Sequence, residues 1–394
     1  MANFYGGDGD DSNAGNPGFT NLYGGDANDF MAGNAGDNEV YGGQGNDVVL
    51  GIEETAFTGT GTADDPFVLT EFGPSGNDYL EGGAGPDVAY GADGNDVIYG
   101  GDGNESGLIT SFGGQVFVGG LFGGDGNDFI DGGRGDDHIE GGNGIDNLIG
   151  LAGDDTIDGG DGADSISAGG GNDTAFGGEG NDIIDGSTGN DVLKGIGGDD
   201  NIEGGSGDDI ITGNDGNDSL SGGLDNDQQL GQAGDDVLGG GAGNDQLFGG
   251  IGSDLLVGDD GDDFILGDQD NDFLYGQLGN DQLFGGDGDD QLNGNQDVIP
   301  LGFTDDDSLD GGAGNDIYQF SAVNGGHDTI FGGEFGPSAA GHDVIQIINT
   351  GGQVTVAELL AFTGSTFTFE NGSSLTLNGQ TWNQLTADDI VLQA

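Results

Sequence analysis

GGDGNDFID (123–131), GGRGDDHIE (132–140), GGNGIDNLI (141–149) and GLAGDDTID (150–158) are four consecutive nonamers. They open an unbroken run of 19 units, 171 residues long, that ends at Asn293. Position 6 is Asp in all 19 units, and position 8 is Ile or Leu in 17, with Ala175 and Gln229 as the exceptions. A fixed period outranks local propensity, because a nine-residue unit cannot bury its apolar side chain alone and must stack on its neighbours.

Within each unit the first six positions read as turn and the last three as polar, apolar, polar, which predicts one short strand. Two nonamers then make one flattened 18-residue coil, with a strand in each of two facing parallel sheets. Glycine permits the positive φ angles of the corners, and Asn or Asp at position 5 reads as a turn former. Stacking sets one position-6 Asp over another at about 5 Å, which is repulsive without a counter-ion.

The counter-charge must come from outside. The 394-residue chain has 74 acidic groups and only two basic ones, Arg134 and Lys194, for a net charge of −72. Carboxylates plus turn carbonyls are hard oxygen donors that suit Ca²⁺, whereas zinc and copper favour thiolate and imidazole. There is no cysteine and there are only three histidines. Pairing each nonamer of the run with the one two units on gives 17 inter-turn positions, and 17 divalent ions would carry +34 against the −72. One apolar side chain per nine residues is a thin core, so the metal is expected to decide between coil and fold.

The candidate metal ligands are the position-6 aspartates. They comprise Asp11, Asp29, Asp47, Asp78, Asp87 and Asp96 before the run. Within it they are Asp128, Asp137, Asp146, Asp155, Asp164, Asp173, Asp182, Asp191, Asp200, Asp209, Asp218, Asp227, Asp236, Asp245, Asp254, Asp263, Asp272, Asp281 and Asp290. Asp307 and Asp316 follow.

The units GGDGNDFID, GGEGNDIID and GGAGNDQLF resemble the RTX (repeats-in-toxin) nonamer GGxGxDxUx. That resemblance implies an all-β fold: a calcium-loaded parallel β-roll, a right-handed β-solenoid. It also implies a secreted bacterial protein exported by type I secretion. It says little about activity, since the module accompanies toxins, proteases, lipases, adhesins and surface-layer proteins alike.

Around the run, residues 1–50 are read as N-terminal repeats, 51–72 as an insertion, 73–108 as repeats and 109–122 as an irregular insertion. After the run (123–293) come an eight-residue insertion (294–301), terminal and degenerate repeats (302–350) and a cap (351–394). Thr20 and Asn38 stand where Asp is expected, which predicts that one edge of the first coils lacks metal; Glu105 replaces Asp in a third unit. A hairpin is expected between Phe57 and Phe72, turning at Asp64, Asp65 and Pro66, and one more coil strand at Val116 to Val118. In the cap, Asn371-Gly372 predicts a second hairpin, VAELLAF (356–362) a short helix, and Asp388-Asp389 before IVL resembles a type I secretion terminus.

Catalysis finds little support. No HExxH, GxSxG or Walker A motif occurs. His138 is expected to be exposed beside a core Ile139, while His327 and His342 recur in GHDTI and GHDVI and read as repeat positions. The absence of a basic patch argues against nucleic acid, and no apolar run suits membrane insertion. The expected role is structural or surface-associated. The alternatives are a hydrolase or polysaccharide-modifying site on an irregular stretch, and a calcium-dependent glycan-binding adhesin module. Cell-surface polysaccharide and self-association through calcium are the candidate partners besides calcium itself.

Overall fold

The computed structural model describes residues 120–295, 306–321, 326–332, 335, 343–348, 355–369, 373–378 and 380–392. Before residue 120 it describes the strand segments 4–5, 12–14, 21–26, 30–32, 39–44, 48–50, 57–58, 68–69, 79–84, 88–93, 97–102, 108–111 and 115–118. Asp11, Thr20, Asp29, Asn38, Asp47, Asp78, Asp87, Asp96, Glu105 and His342 lie outside the described residues, as do the turn at Asp64 to Pro66, the turn at Asn371-Gly372 and most of the 294–301 insertion. The chain divides into two compact units, Met1–Ile202 and Glu203–Ala394. Each is an all-β parallel solenoid built from the repeat.

In the first unit, consecutive nonamers alternate between two parallel sheets, so that two nonamers make one coil. One sheet pairs Ile130 with Leu148, Leu148 with Ile166 and Ile166 with Ile184. The other pairs Ile139 with Ile157, Ile157 with Ala175 and Ala175 with Leu193. Every step is 18 residues, and these position-8 side chains are buried.

The strands are longer than the sequence reading expects. Six residues, not three, are extended, as in Phe129–Arg134 and His138–Asn143. They run from position 7 through position 3 of the following unit, leaving only positions 4 to 6 as the corner. Side chains alternate along a strand, so position 1 points inward beside position 8. Gly132 and Gly141 are accordingly buried. The glycines that suggested a turn are strand residues in the narrow interior, next to the corner aspartates.

The coil also closes over the irregular stretches. Glu39–Gln44 pairs directly with Tyr79–Ala84, setting Val40 beside Leu80. Phe57–Thr58 pairs antiparallel with Val68–Leu69, the hairpin foreseen there. The expectation for Val116 to Val118 is corrected: Gln115–Val118 pairs antiparallel with Leu108–Ser111 and forms a second hairpin, not a coil strand. Gly120–Asp125 returns to the roll beside Val88–Asp93, with Leu121 buried. On the outer face, Tyr23 and Tyr41 stack with ring centroids 4.8 Å apart.

In the second unit one sheet carries Leu220, Leu238, Leu256, Leu274 and Leu292 in successive register. The opposite sheet carries Ile211, Gln229, Leu247, Ile265 and Leu283. Gln229 is fully buried in that apolar row and donates from Nε2 to the carbonyl of Gly239 at 2.6 Å. Leu283 then pairs with Leu309, and Leu292 with Tyr318, each 26 residues on, so the eight added residues leave the register intact.

The cap ends both sheets of this unit. Ser374–Leu377 adds in parallel to His327–Phe331, and Ile390–Leu392 to Val344–Ile348. Thr366–Thr368 folds back antiparallel on Ser374–Leu377, as the hairpin signal predicts. The helix Val356–Ala361 starts in a capping box, where Thr355 and Glu358 satisfy each other's amides. Leu359 and Trp382 are fully buried, and the Trp382 ring lies 5.9 Å from Phe367.

Candidate metal sites in the turns

Each corner places its Asp at the same point, because the strand before it and the strand after it are both fixed by register. All 19 aspartates from Asp128 to Asp290 are buried, with at most 3% exposure, and so are Asp307 and Asp316. Their two carboxylate oxygens have different surroundings.

Oδ1 is an inter-coil acceptor. The amide of Asp146 donates to Oδ1 of Asp164 at 2.8 Å, and that of Asp164 to Oδ1 of Asp182 at 2.8 Å. In the second unit the amide of Asp236 donates to Asp254, and that of Asp254 to Asp272, each at 2.9 Å. The ladder crosses the insertion: Asp281 N–H reaches Asp307 at 3.0 Å and Asp290 N–H reaches Asp316 at 3.1 Å.

Oδ2 points into the coil and has no hydrogen-bond donor. This holds in the first unit for Asp146, Asp155, Asp164, Asp173 and Asp182, and in the second for Asp227, Asp236, Asp245, Asp254, Asp263, Asp272, Asp290 and Asp316. A second oxygen converges on it. A Cβ placed on Gly141 would lie 2.6 Å from Asp146 Oδ2 and 2.7 Å from the carbonyl oxygen of Gly159, one coil on. At Gly249 the equivalent distances are 2.3 Å to Asp254 Oδ2 and 2.9 Å to the Gly267 carbonyl. Position 1 is glycine because a side chain would fill this cradle; Ala168 is the one exception in the run.

Burial without a donor costs a carboxylate its charged form. Asp146, Asp164, Asp254 and Asp290 are pushed up to about 6. Asp155, Asp227, Asp236, Asp263 and Asp316 rise to about 7, and Asp272 to about 8. Loss of hydration is the largest cause in every case. The amide donated by the preceding coil's Asp opposes it, and repulsion from neighbouring aspartates adds a smaller increment. Repulsion between stacked aspartates is present as expected, but the amide ladder takes up one oxygen of each carboxylate, and dehydration weighs more.

Position 5 forms a second ladder of opposite sense that the sequence reading missed. Asn217 Oδ1 accepts from the amide of Asp235, and Asp235 Oδ1 from that of Ser253, at 2.7 and 2.8 Å. In the first unit Asp136 accepts from Asp154 and Asp154 from Asn172. These residues therefore link coils as well as turning the chain. Ile145 and Ala163 lack the acceptor oxygen, so the ladder lapses at their turns.

Two further aspartates continue the position-6 series. Asp328 Oδ1 accepts from Asp307 N–H at 3.2 Å, and Asp343 Oδ1 from Asp316 N–H at 3.0 Å. Both are buried. Their signal was the tripeptide Asp-x-Ile, which survives in GHDTI and GHDVI after the glycine frame is lost.

The two described histidines, His138 and His327, each sit in a sheet of their own unit. His138 is half-buried, not exposed as expected, with its ring 5.8 Å from that of Phe122. His327 Nδ1 lies 2.8 Å from Ser374 Oγ, a cross-strand pair in the register that docks the cap. Among the described residues no three acidic, histidine or cysteine side chains gather as a metal cluster. A cation in these turns would therefore take one carboxylate oxygen per corner and rely on backbone carbonyls for the rest. That all-oxygen donor set, uncompensated and dehydrated, suits Ca²⁺, which accepts six to eight oxygens in flexible geometry.

The family model for the RTX calcium-binding nonapeptide repeat (4 copies) matches residues 14–49, 72–104, 121–148, 140–175, 158–193, 194–229, 230–265, 266–297 and 301–319. Comparison with curated proteins gives no match.

Proposed function

Because the chain belongs to the RTX calcium-binding nonapeptide repeat family, a family whose repeats bind calcium, we propose that it is a secreted structural protein whose roll is completed by Ca²⁺ outside the cell. The observation that carries this reading is the row of buried Oδ2 atoms without a donor, beside the Gly carbonyls of the next coil. The residues that would hold the ions are the position-6 aspartates Asp128 through Asp290 with Asp307 and Asp316, joined by Asp328 and Asp343. Asp11, Asp29, Asp47, Asp78, Asp87 and Asp96 are proposed by the same sequence position. The bound ion supplies the positive charge that a chain of net charge −72 lacks.

A low-affinity site of about 10⁻⁴ to 10⁻³ M is empty in a calcium-poor cytosol and filled outside. The chain would then reach its exporter unfolded and fold after release, in line with type I secretion. Among the described residues no helix is long and apolar enough to cross a membrane. Export is tested by expressing the chain beside a type I transporter, with and without residues 351–394. Accumulation of only the intact chain in the medium supports the reading; equal export of both forms contradicts it.

A further inference from the structure

The second unit carries an aromatic stack on one outer sheet face. Phe248 and Phe264 have ring centroids 5.8 Å apart, and Phe264 and Phe284 5.3 Å. On the next strand, Ser308–Ala313, the position in register with Phe284 is Asp310. One strand further, Asp310 is in register with Phe331. The row therefore reads Phe284, Asp310, Phe331, with the stack interrupted by a carboxylate. The interruption opens a cavity of about 260 Å³ lined by Gln282, Phe284, Ser308, Leu309, Asp310 and Phe331.

We propose that this gap binds a small organic ammonium ion between the Phe284 and Phe331 rings and against the Asp310 carboxylate. Strands repeat every 4.7–4.9 Å across a sheet, which sets the two rings roughly 10 Å apart. A cation midway is then about 5 Å from each, within the ~6 Å over which a ring quadrupole attracts a cation. Phe264 covers the far side of Phe284, leaving its other side toward the gap. Phe331 is 37% exposed. The carboxylate has room because the residue after Phe331 is Gly332, where a Cβ would lie 2.4 Å from Asp310 Oδ1.

Charge selects the sign of the ligand. Residues 203–394 contain no Lys or Arg, so an anion finds no permanently charged partner in this unit. A hydrated metal ion gains nothing from aromatic walls, whereas an alkylated ammonium uses both the rings and the carboxylate. Asp310 is not a corner residue: it lies at position 9 of its unit, on the sheet face.

The test uses the full-length chain in saturating calcium at constant ionic strength, with tetramethylammonium as the probe and tert-butanol as its uncharged counterpart, followed by saturation-transfer NMR. Saturable tetramethylammonium binding in the millimolar range is expected, with tert-butanol at least 10-fold weaker. Asp310→Asn and Phe331→Ala should each weaken binding 5-fold or more, while Phe248→Ala, on the same face but outside the gap, changes it less than 2-fold. If Phe331→Ala loses the calcium-folded circular dichroism spectrum, Phe331→Leu carries the same expectation. Absence of saturable binding, equal binding of tert-butanol, tighter binding of a neutral sugar such as cellobiose, or indifference to Asp310→Asn would each overturn the proposal.

Discussion

The amide of Asp245 donates to Oδ1 of Asp263, 18 residues on, at 2.9 Å, while Oδ2 of Asp263 has no donor. One carboxylate thus splits its work. One oxygen ties adjacent coils together, and the other holds negative charge in a dry corner beside the Gly276 carbonyl.

Replacing Asp263 by Asn should separate these two tasks. Oδ1 keeps its amide, the charge disappears, and Nδ2 can donate to the Gly276 carbonyl. In chelator Asp263→Asn is expected to stabilise whatever roll forms by about 1–2 kcal/mol, the scale of satisfying one buried polar group. In calcium it should lower affinity at that turn. Urea melts in calcium and the residual β-structure content in chelator read both effects; a loss in both conditions would mean the oxygen has no metal-related role.

Acid should substitute in part for calcium. The folded-state values of about 6 to 8 for Asp146, Asp155, Asp227, Asp236, Asp263 and Asp272 stand above the ordinary 3.8. The folded state therefore binds more protons than the unfolded chain. The stability these groups contribute to the calcium-free roll is fully present below about 3.8 and is lost as pH rises through 6 to 8. Chelated protein should gain β-structure between pH 8.5 and pH 5, still above its isoelectric point of about 4.1. Calcium affinity should fall over the same interval as protons compete. A chelated chain equally unfolded at both pH values contradicts this.

Ile196 occupies position 2 with φ 92°, where Gly178 stands one coil before and Gly205 in the next unit. A β-branched residue with positive φ is strained by about 1–2 kcal/mol, partly offset by the ~0.5–1 kcal/mol backbone entropy that glycine costs. Ile196→Gly should raise the calcium-bound urea midpoint modestly. A lowered midpoint would show that the side chain, 39% exposed, contributes packing that outweighs the strain.

Gln229 leaves Oε1 buried and without a partner in an otherwise apolar row. Gln229→Leu trades that orphan and one hydrogen bond to Gly239 for the Leu or Ile found at this position in most units, for a net gain of about 1 kcal/mol. Calorimetry in calcium checks it; a lower Tm would mean the Gln229–Gly239 bond outweighs the orphan.

The 18-residue stacking was legible because position 6 and position 8 never leave the frame, and a strict period leaves few ways to stack. The strand length was not, since the local pattern at Gly132 and Gly133 reads as turn and only the neighbouring coil makes it strand. Asn217 and Asp235 likewise look like turn formers, because a side chain bonding to the next coil leaves no mark on its own local sequence. Val116 to Val118 shows the limit of alternation, which predicts a strand but cannot tell a parallel neighbour from an antiparallel one. Asp328 and Asp343 are not legible by the glycine frame, which is lost around them, although the Asp-x-Ile core of the repeat is intact.

The central claim is that dehydrated, ionised aspartates keep the roll from forming until calcium joins them. Far-UV circular dichroism of the full-length chain at pH 7.5, first in chelator and then in millimolar calcium, tests it most directly. The account predicts an unfolded spectrum that converts cooperatively to a β spectrum on calcium addition and reverts with chelator. A β spectrum that persists in chelator at that pH would contradict it.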